Sequence, residues 1–230
     1  MTLASYDADN IIRSARLWCC RYWEYPFSVL QGDVLTNEPL NILDTGSGWS
    51  LFPMYLSSAL HHKVTCVDLN EIQMKKISPD IAALFGSPPE YRVQDLTNLE
   101  FEDNHFDRVF CVSVLEHIEE ELVSGGKRVN YHKQNLDVKA LGEMFRVLKP
   151  GGILMLTIEW SEDENYGRPY RFIDVKSRLI KPFMPYLKEQ SFPDIDWETY
   201  KINPRKIWRE KFPFMDNMFM SSMGIVFQKA

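Results

Sequence analysis

An alternation of apolar runs with helix-forming segments restricts the fold of this 230-residue chain more than any other feature. Five short runs are rich in apolar residues and are typical of strands: LNILD, KVTCVDL, EYRVQDL, FDRVFCVSV and ILMLTI. Segments with apolar residues at helical spacing lie between most of them, and these predict helices: SLFPMYLSSALHH, NEIQMKKI and NLDVKALGEMFRVL. Continuously apolar strands separated by helices indicate a parallel sheet that is covered on both faces. The sequence therefore predicts a doubly wound α/β fold.

The two ends of the chain extend this alternating centre. Residues 8–20 have apolar side chains at helical spacing and predict a helix, and the segment WEYPF after it predicts a turn. Near the other end, FPDIDWETY and SSMGIVFQKA predict a closing pair of strands. We therefore predict a single domain over residues 1–230, with a seven-stranded, mostly parallel sheet. Residues 1–35 are predicted to form a helical lid, and residues 160–192 a substrate-side insertion.

Composition limits the partners and the compartment. The net charge of −6 argues against nucleic acid as a partner, since a protein that neutralises phosphates usually presents a basic face. The basic residues within 201–211 nevertheless leave RNA open. No apolar run reaches the length of a membrane span, and the four cysteines show neither a disulfide framework nor metal-ligand spacing. We expect a reduced cytoplasmic protein that uses no metal and no membrane.

A glycine loop follows the first predicted strand. The strand ends at Asp44, and Gly46 and Gly48 come directly after it in the sequence DTGSGWS. Glycine accepts positive φ angles and lets a ligand approach the backbone closely. The dinucleotide fingerprint G-x-G-x-x-G is incomplete here because its third glycine is missing. We expect Ser50 instead to cap the next helix, with Pro53 in its first turn.

Three acids mark the ends of neighbouring predicted strands and discriminate between cofactors. Asp68 ends the second strand, where it could accept both hydroxyls of a ribose, so it suits NAD and S-adenosylmethionine equally. Asp44 would repel a pyrophosphate next to the glycines, but it suits a ligand with an ammonium and a sulfonium group. Asp95 follows the third strand, at a position that suits the amino group of an adenine.

These features together resemble the class I S-adenosylmethionine-dependent methyltransferases. The resemblance rests on Asp44-x-Gly46-x-Gly48, Asp68, Asp95 and the stretches LEFEDNHFDRVFCVSVLEHI and RVLKPGGIL, and it covers residues 40–158. It implies a Rossmann-like methyltransferase fold and S-adenosylmethionine as cofactor. The cofactor contacts that it implies fall on these residues: Asp44, Thr45, Gly46, Ser47, Gly48, Asp68, Leu69, Asp95, Leu96, Ser113 and Val114.

The predicted reaction is transfer of a methyl group to a small-molecule acceptor, for example a hydroxyl of a sugar. Substrate contacts are predicted at polar and aromatic residues of the lid and the insertion: Tyr25, Tyr166, Arg168, Tyr170 and Arg171. His117 is the candidate general base, although it equally suits a residue that only anchors its loop. Three alternatives stay open: an RNA methyltransferase, an NAD-dependent oxidoreductase and a non-catalytic S-adenosylmethionine-binding protein.

Overall fold

The computed structural model describes residues 21–48, 50–71, 86–122, 128–130, 134–160, 170–187 and 221–230. In this part of the chain the helices are α1 (Arg21–Gln31), α2 (Phe52–Met54, continued by a π-helical turn at Tyr55–Ala59), α3 (Leu136–Val147) and α4 (Phe172–Asp174, continued by a π-helical turn at Val175–Ile180 and a 3₁₀ turn at Lys181–Tyr186). The strands are β1 (Asn41–Thr45), β2 (Lys63–Asp68), β3 (Glu90–Val93), β4 (Phe106–Val112), β5 (Glu120–Leu122), β6 (Arg128–Asn130), β7 (Leu148–Trp160) and β8 (Ser221–Gln228). A further 3₁₀ turn spans Leu115–His117.

Six of these strands form one sheet in the order β3-β2-β1-β4-β7-β8. All neighbours are parallel except β8, which runs antiparallel to β7 at the edge. The predicted doubly wound, mostly parallel α/β fold is therefore confirmed. The seventh predicted strand, in FPDIDWETY, lies outside the described residues.

Both faces of the sheet are buried, which explains why its strands read as continuous apolar runs. Neighbouring residues in one strand alternate between two core clusters, one on each face of the sheet: Leu43 belongs to the first cluster and Ile42 to the second. Val109 and Phe110 of β4 divide between the clusters in the same way. Successive side chains of a strand point to opposite faces, so a sheet that is buried on both faces needs apolar residues at every position of its strands.

The register of the sheet aligns the carboxyl ends of its central strands. Thr45, the last residue of β1, pairs with Val67 on one side and Cys111 on the other. Asp68, the last residue of β2, pairs with Val93 of β3. The loops that follow these strands consequently meet at one edge, where ligands bind in open α/β sheets.

The predicted turn at WEYPF is wrong, because this segment lies inside helix α1 with Pro26 in its interior. An internal proline removes a backbone hydrogen bond and disfavours a helix. Tertiary contacts offset this cost here. Phe27 is buried against the second core cluster, and its ring lies directly over Gly224 of β8, where no side chain could fit. This part of the predicted lid is therefore packed on the sheet.

The remaining segments bear on the other predictions. The helix predicted over residues 8–20 lies outside the described residues, and of NEIQMKKI only Glu71 is described. Strands β5 and β6 pair as an antiparallel hairpin that the sequence pattern did not predict. Residues 172–186 form a series of helical turns, and Val175 and Leu179 within them are buried in the first core cluster. No helix in the described ranges has both the length and the apolar character to cross a membrane.

Candidate active site

The glycine loop after β1 is held against its two neighbouring strands. The hydroxyl of Thr45 donates to the carbonyl of Phe110 in β4 at 2.8 Å, and the amide of Gly46 donates to the carbonyl of Val67 in β2 at 2.7 Å. Gly46 has a φ of +67°, and a Cβ at this position would collide with the side chain of Val114. Only glycine fits this position.

Asp68 organises the same loop from the end of β2. One of its carboxylate oxygens accepts the amide of Gly48 at 2.9 Å, and the other accepts the amide of Asn70 at 2.7 Å. A carboxylate offers about four acceptor positions, so two remain for ligand hydroxyls. The predicted contact between Asp68 and a ribose is compatible with this arrangement, and it stays a prediction.

Asp44 is a buried acid beside the loop, with only 3% of its surface exposed. Burial raises the pKa of its carboxyl from the ordinary 3.8 to about 7, and the charge of Asp68 acts in the same direction. A hydrogen bond from Ser47 and the charge of Arg21 lower the pKa of Asp44 and offset part of this shift. A carboxyl in this state is stabilised in its charged form by any cation that reaches it.

The loops after β2 and β3 carry further predicted cofactor contacts at the same edge of the sheet. Leu69 is 67% exposed, whereas Leu96 is buried. Asp95 is exposed, and its side chain accepts the amide of Thr97 at 2.8 Å. These three residues occupy the edge at which the resemblance places the adenosine, and their contacts with it stay predictions.

A tight turn at Ser113 and Val114 follows β4 at this edge of the sheet. Ser113 has a φ of +51°, which is uncommon for a residue other than glycine. Its amide donates to the carbonyl of Thr157 in β7 at 3.0 Å, and its hydroxyl donates to the carboxylate of Glu24 at 2.5 Å. Val114 then lies directly over Gly46.

Helix α1 contacts the residues that directly follow the glycine loop. The hydroxyl of Tyr25 is hydrogen-bonded to the hydroxyl of Ser50 at 2.9 Å, and its ring stacks on Phe52 with the ring centres 5.1 Å apart. Burial raises the pKa of Tyr25 above its usual 10.0, although the charge of Arg21 opposes this shift. Ser50 also accepts the amide of Phe52 at 3.1 Å, but the N-cap of α2 is Leu51, so Ser50 lies one residue before the cap position predicted for it.

Glu24 was missed in the sequence. Its side chain is fully buried, and its second carboxylate oxygen forms an ion pair with Arg21. The available signal was its spacing: Glu24 precedes the core residue Phe27 by three positions and therefore lies on the same face of a helix. The turn predicted for WEYPF excludes a helix at Glu24, so the shared helix face of Glu24 and Phe27 was not predicted.

His117 ends the 3₁₀ turn that follows Val114. It is half-buried, and its amide donates to the carbonyl of Val114 at 2.9 Å. The neighbouring Glu116 is fully buried and accepts the amide of Glu159 in β7 at 3.3 Å. The turn is thus anchored by its backbone and by Glu116, and the role of His117 as a base stays a prediction.

Of the predicted substrate contacts of the insertion, the structure describes Tyr170 and Arg171, and these two lie in different surroundings. Tyr170 is fully buried, and its hydroxyl donates to Asp137 at 2.6 Å. The side chain of Arg171 is 64% exposed and pairs with Asp174. Tyr166 and Arg168 lie outside the described residues. Of the five predicted substrate contacts, the structure brings Tyr25 alone next to the glycine loop among those that it describes.

Comparison with known proteins agrees with this geometry. Residues 43–156 match the protein family described as "Methyltransferase domain". A 2-methyl-6-phytyl-1,4-hydroquinone methyltransferase of Synechocystis sp. is 27% identical over 65% of this chain and 39% of that protein. The ubiquinone/menaquinone biosynthesis C-methyltransferase UbiE of Bordetella avium is 28% identical over 86% of this chain and 63% of that protein. The chain thus spans less than two thirds of the length of these curated relatives.

A solved structure shares the fold over most of the chain. Phosphoethanolamine N-methyltransferase 2 of Haemonchus contortus, in complex with S-adenosyl-L-methionine, covers 90% of this chain and 52% of its own, with a TM-score of 0.59 and 17% sequence identity. The residues that match the family begin within β1 and end within β7, so they include the glycine loop, Asp68 and the Ser113–Val114 turn. Residues 43–156 of this chain are therefore a methyltransferase domain, as the resemblance to the S-adenosylmethionine-dependent methyltransferases predicted.

Proposed function

We propose that this chain transfers a methyl group from S-adenosylmethionine to a small-molecule acceptor. The observation that carries this proposal is the buried carboxyl of Asp44 beside the glycine loop, whose pKa of about 7 shows that the site disfavours its negative charge. An ammonium or sulfonium group near Asp44 would relieve that cost, whereas the pyrophosphate of NAD would increase it. This asymmetry supports S-adenosylmethionine over a dinucleotide.

In this proposal the described residues contact the cofactor along its length. The loop of Gly46 and Gly48 leaves backbone close to the space above it, as a bound ligand requires. Asp44 would hold the positively charged methionine end, and Asp68 would accept the ribose hydroxyls. Asp95 and Leu96 would contact the adenine, the first through its exposed carboxylate and the second through its apolar side chain.

S-adenosylmethionine, when bound, supplies a methyl group on a positive sulfur that an acceptor can attack in line. The contribution of the chain is orientation: the Ser113–Val114 turn and Tyr25 both lie next to the glycine loop and would confine the reacting groups. Orientation of this kind is worth roughly 7–11 kcal/mol of the barrier. His117, one turn beyond Val114, would accept the proton of a hydroxyl acceptor.

A small-molecule acceptor is the part of the proposal that the relatives support. The Synechocystis relative is named for a hydroquinone, and the Bordetella relative for ubiquinone and menaquinone biosynthesis. The net charge of −6 gives no support to RNA as an acceptor. Sugars and hydroquinones are accordingly the two acceptor classes to test first.

The cofactor is tested by thermal unfolding of the chain with S-adenosylmethionine, S-adenosylhomocysteine or NAD. A ligand at 100 times its dissociation constant stabilises the native state by about 2.7 kcal/mol. This should raise the melting temperature by several degrees, at roughly 2–4 °C per kcal/mol. We expect the shift with the first two compounds and none with NAD. A shift with NAD alone would refute the proposal and favour an oxidoreductase.

Turnover separates an enzyme from a binding protein. Methyl-labelled S-adenosylmethionine is incubated with sugars, hydroquinones and a bulk RNA, and label transfer is measured. Label in a small molecule supports the proposal, and label in RNA alone refutes it. Binding without transfer to any acceptor would instead indicate a non-catalytic S-adenosylmethionine-binding protein.

His117 is tested once an acceptor is known. As a base it should lose about 10²-fold or more in turnover on substitution by alanine, with cofactor affinity nearly unchanged. As an anchor it should show a lower melting temperature and weaker binding in the same variant, with an unaltered pH profile of turnover. Near-normal turnover in a folded His117→Ala variant would remove His117 from the mechanism.

A further inference from the structure

A buried hydrogen bond joins helix α1 to the Ser113–Val114 turn, which lies against the glycine loop. The hydroxyl of Ser113 donates to a carboxylate oxygen of Glu24 at 2.5 Å, and the two residues are 89 positions apart in the sequence. Glu24 is fully buried and Ser113 is 4% exposed. Hydrogen bonds to ionised groups are short and about twice as strong as neutral ones, and burial keeps water from competing for the donor.

The backbone at Ser113 needs such support. Its φ of +51° lies in the left-handed region, which costs free energy for a residue with a Cβ and persists only where surrounding contacts fix it. Three hydrogen bonds do so: the amide of Ser113 donates to the carbonyl and hydroxyl oxygens of Thr157, and the side chain donates to Glu24. Glu24 is the partner that comes from outside the sheet.

This conformation decides where the next residue lies. The left-handed turn at Ser113 directs Val114 over Gly46, so closely that a Cβ on Gly46 would collide with it. The position of Val114 therefore determines how closely a side chain covers the glycine loop. A change at Glu24 is transmitted to that loop through two residues, although its own contacts are with Ser113 and Arg21.

We infer that Glu24 is a positioning residue for cofactor binding, which holds the Ser113–Val114 turn closed over the glycine loop. The inference rests on the proposed function, since it takes the glycine loop as the site of S-adenosylmethionine. An apolar side chain in place of Glu24 would fill the same buried space. It could not accept the hydroxyl of Ser113, and the turn would lose the contact that fixes it from the helix side.

The experiment is a double-mutant cycle in the dissociation constant of S-adenosylmethionine, measured by calorimetry on the full chain. Glu24→Ala and Ser113→Ala should each weaken binding by about tenfold or more, the effect of losing a buried hydrogen bond to a charged group. The double variant should bind no more weakly than the weaker single variant, because both substitutions remove one shared interaction. Losses that multiply would overturn the inference.

Two further variants distinguish positioning from plain structural support. Glu24→Gln keeps an oxygen that can accept the hydroxyl of Ser113 but loses the charge that pairs with Arg21, so we expect a lower melting temperature with affinity within about threefold of the parent. Arg108→Gln is the matched control. Its guanidinium donates to the carbonyls of Gly32 and Asp33 just beyond the far end of α1, so its loss should lower the melting temperature and leave affinity unchanged.

The outcomes separate the two proposals. If the parent binds S-adenosylmethionine and Glu24→Ala binds it equally well, the positioning role is refuted and the proposed function stands. If the parent shows no binding, the proposed function is refuted together with this inference. If Glu24→Ala does not fold, Ser113→Ala and Glu24→Gln decide: the first must lose affinity and the second must retain it, and any other result refutes the role of Glu24.

Discussion

Replacement of Asp44 by asparagine should make the ligand-free protein more stable at neutral pH. Asp44 is buried with 3% of its surface exposed, and its pKa is raised from 3.8 to about 7, mainly because burial disfavours the charged form. Asparagine has nearly the same shape as the neutral acid and never ionises. The variant therefore removes the cost of the charge while keeping the volume and a hydrogen-bonding group.

The magnitude follows from the two pKa values of Asp44. Below the unfolded value of 3.8 both states carry the proton, and ionisation costs the fold nothing. Between 3.8 and about 7 the unfolded chain has lost the proton and the native state has kept it, so native stability falls as pH rises. At 1.36 kcal/mol per unit, the loss is about 2 kcal/mol at pH 5 and about 4 kcal/mol at pH 8.

Thermal melts of the parent and of Asp44→Asn at pH 5 and pH 8, without ligand, measure this difference. The gap in melting temperature should widen by about 5–10 °C between the two pH values, at roughly 2–4 °C per kcal/mol. Glu38→Gln is the control, because Glu38 is exposed and its replacement removes the same charge without relieving any burial. A gap that does not change with pH, or one that narrows, would refute this account of Asp44.

Two further predictions test how α1 and α3 are held. Gly224→Ala should destabilise the fold by about 1–3 kcal/mol in urea unfolding, because the added methyl group meets the ring of Phe27. Gly142→Ala is its control in α3 and should be neutral or stabilising, because no atom lies within 4 Å of the position that its added Cβ would take. Equal effects of the two substitutions would contradict this explanation. Lys229→Met should lower the free energy of unfolding by about 1–3 kcal/mol, because the ammonium of Lys229 donates at 2.7 Å to the carbonyls of Phe145 and Leu148 at the end of α3. An unchanged midpoint of urea unfolding would show that these bonds contribute nothing.

The candidate site was predictable where it depends on strand ends. Asp44 and Asp68 each end an apolar run, and parallel strands bring such ends to one edge whatever the details of packing. The structure then shows a link that spacing alone does not contain: Asp68 accepts the amide of Gly48 and so ties the second strand to the loop of the first. The sequence predicted the neighbours correctly but not the bond between them.

The contacts of α1 with the candidate site were not predictable from the sequence, for two reasons. Pro26 in the segment WEYPF indicates a turn locally, and only packing of Phe27 on β8 makes a helix the more stable state. The role of Glu24 depends on Ser113, which is 89 residues away, and a carboxylate at that position otherwise resembles any acid of a surface helix.

The sequence by itself determined the order of the parallel strands β1, β2, β3, β4 and β7, the parallel sheet and the edge that carries the acids, because these follow from local periodicity and from burial on both faces. Tertiary structure alone decided the pKa of Asp44, the left-handed turn at Ser113 and the burial of Tyr170 on Asp137. Each of these depends on which groups surround a residue in space. Contacts between distant segments set the dielectric environment, the backbone strain and the hydrogen-bond partners of a side chain, and no local pattern records them.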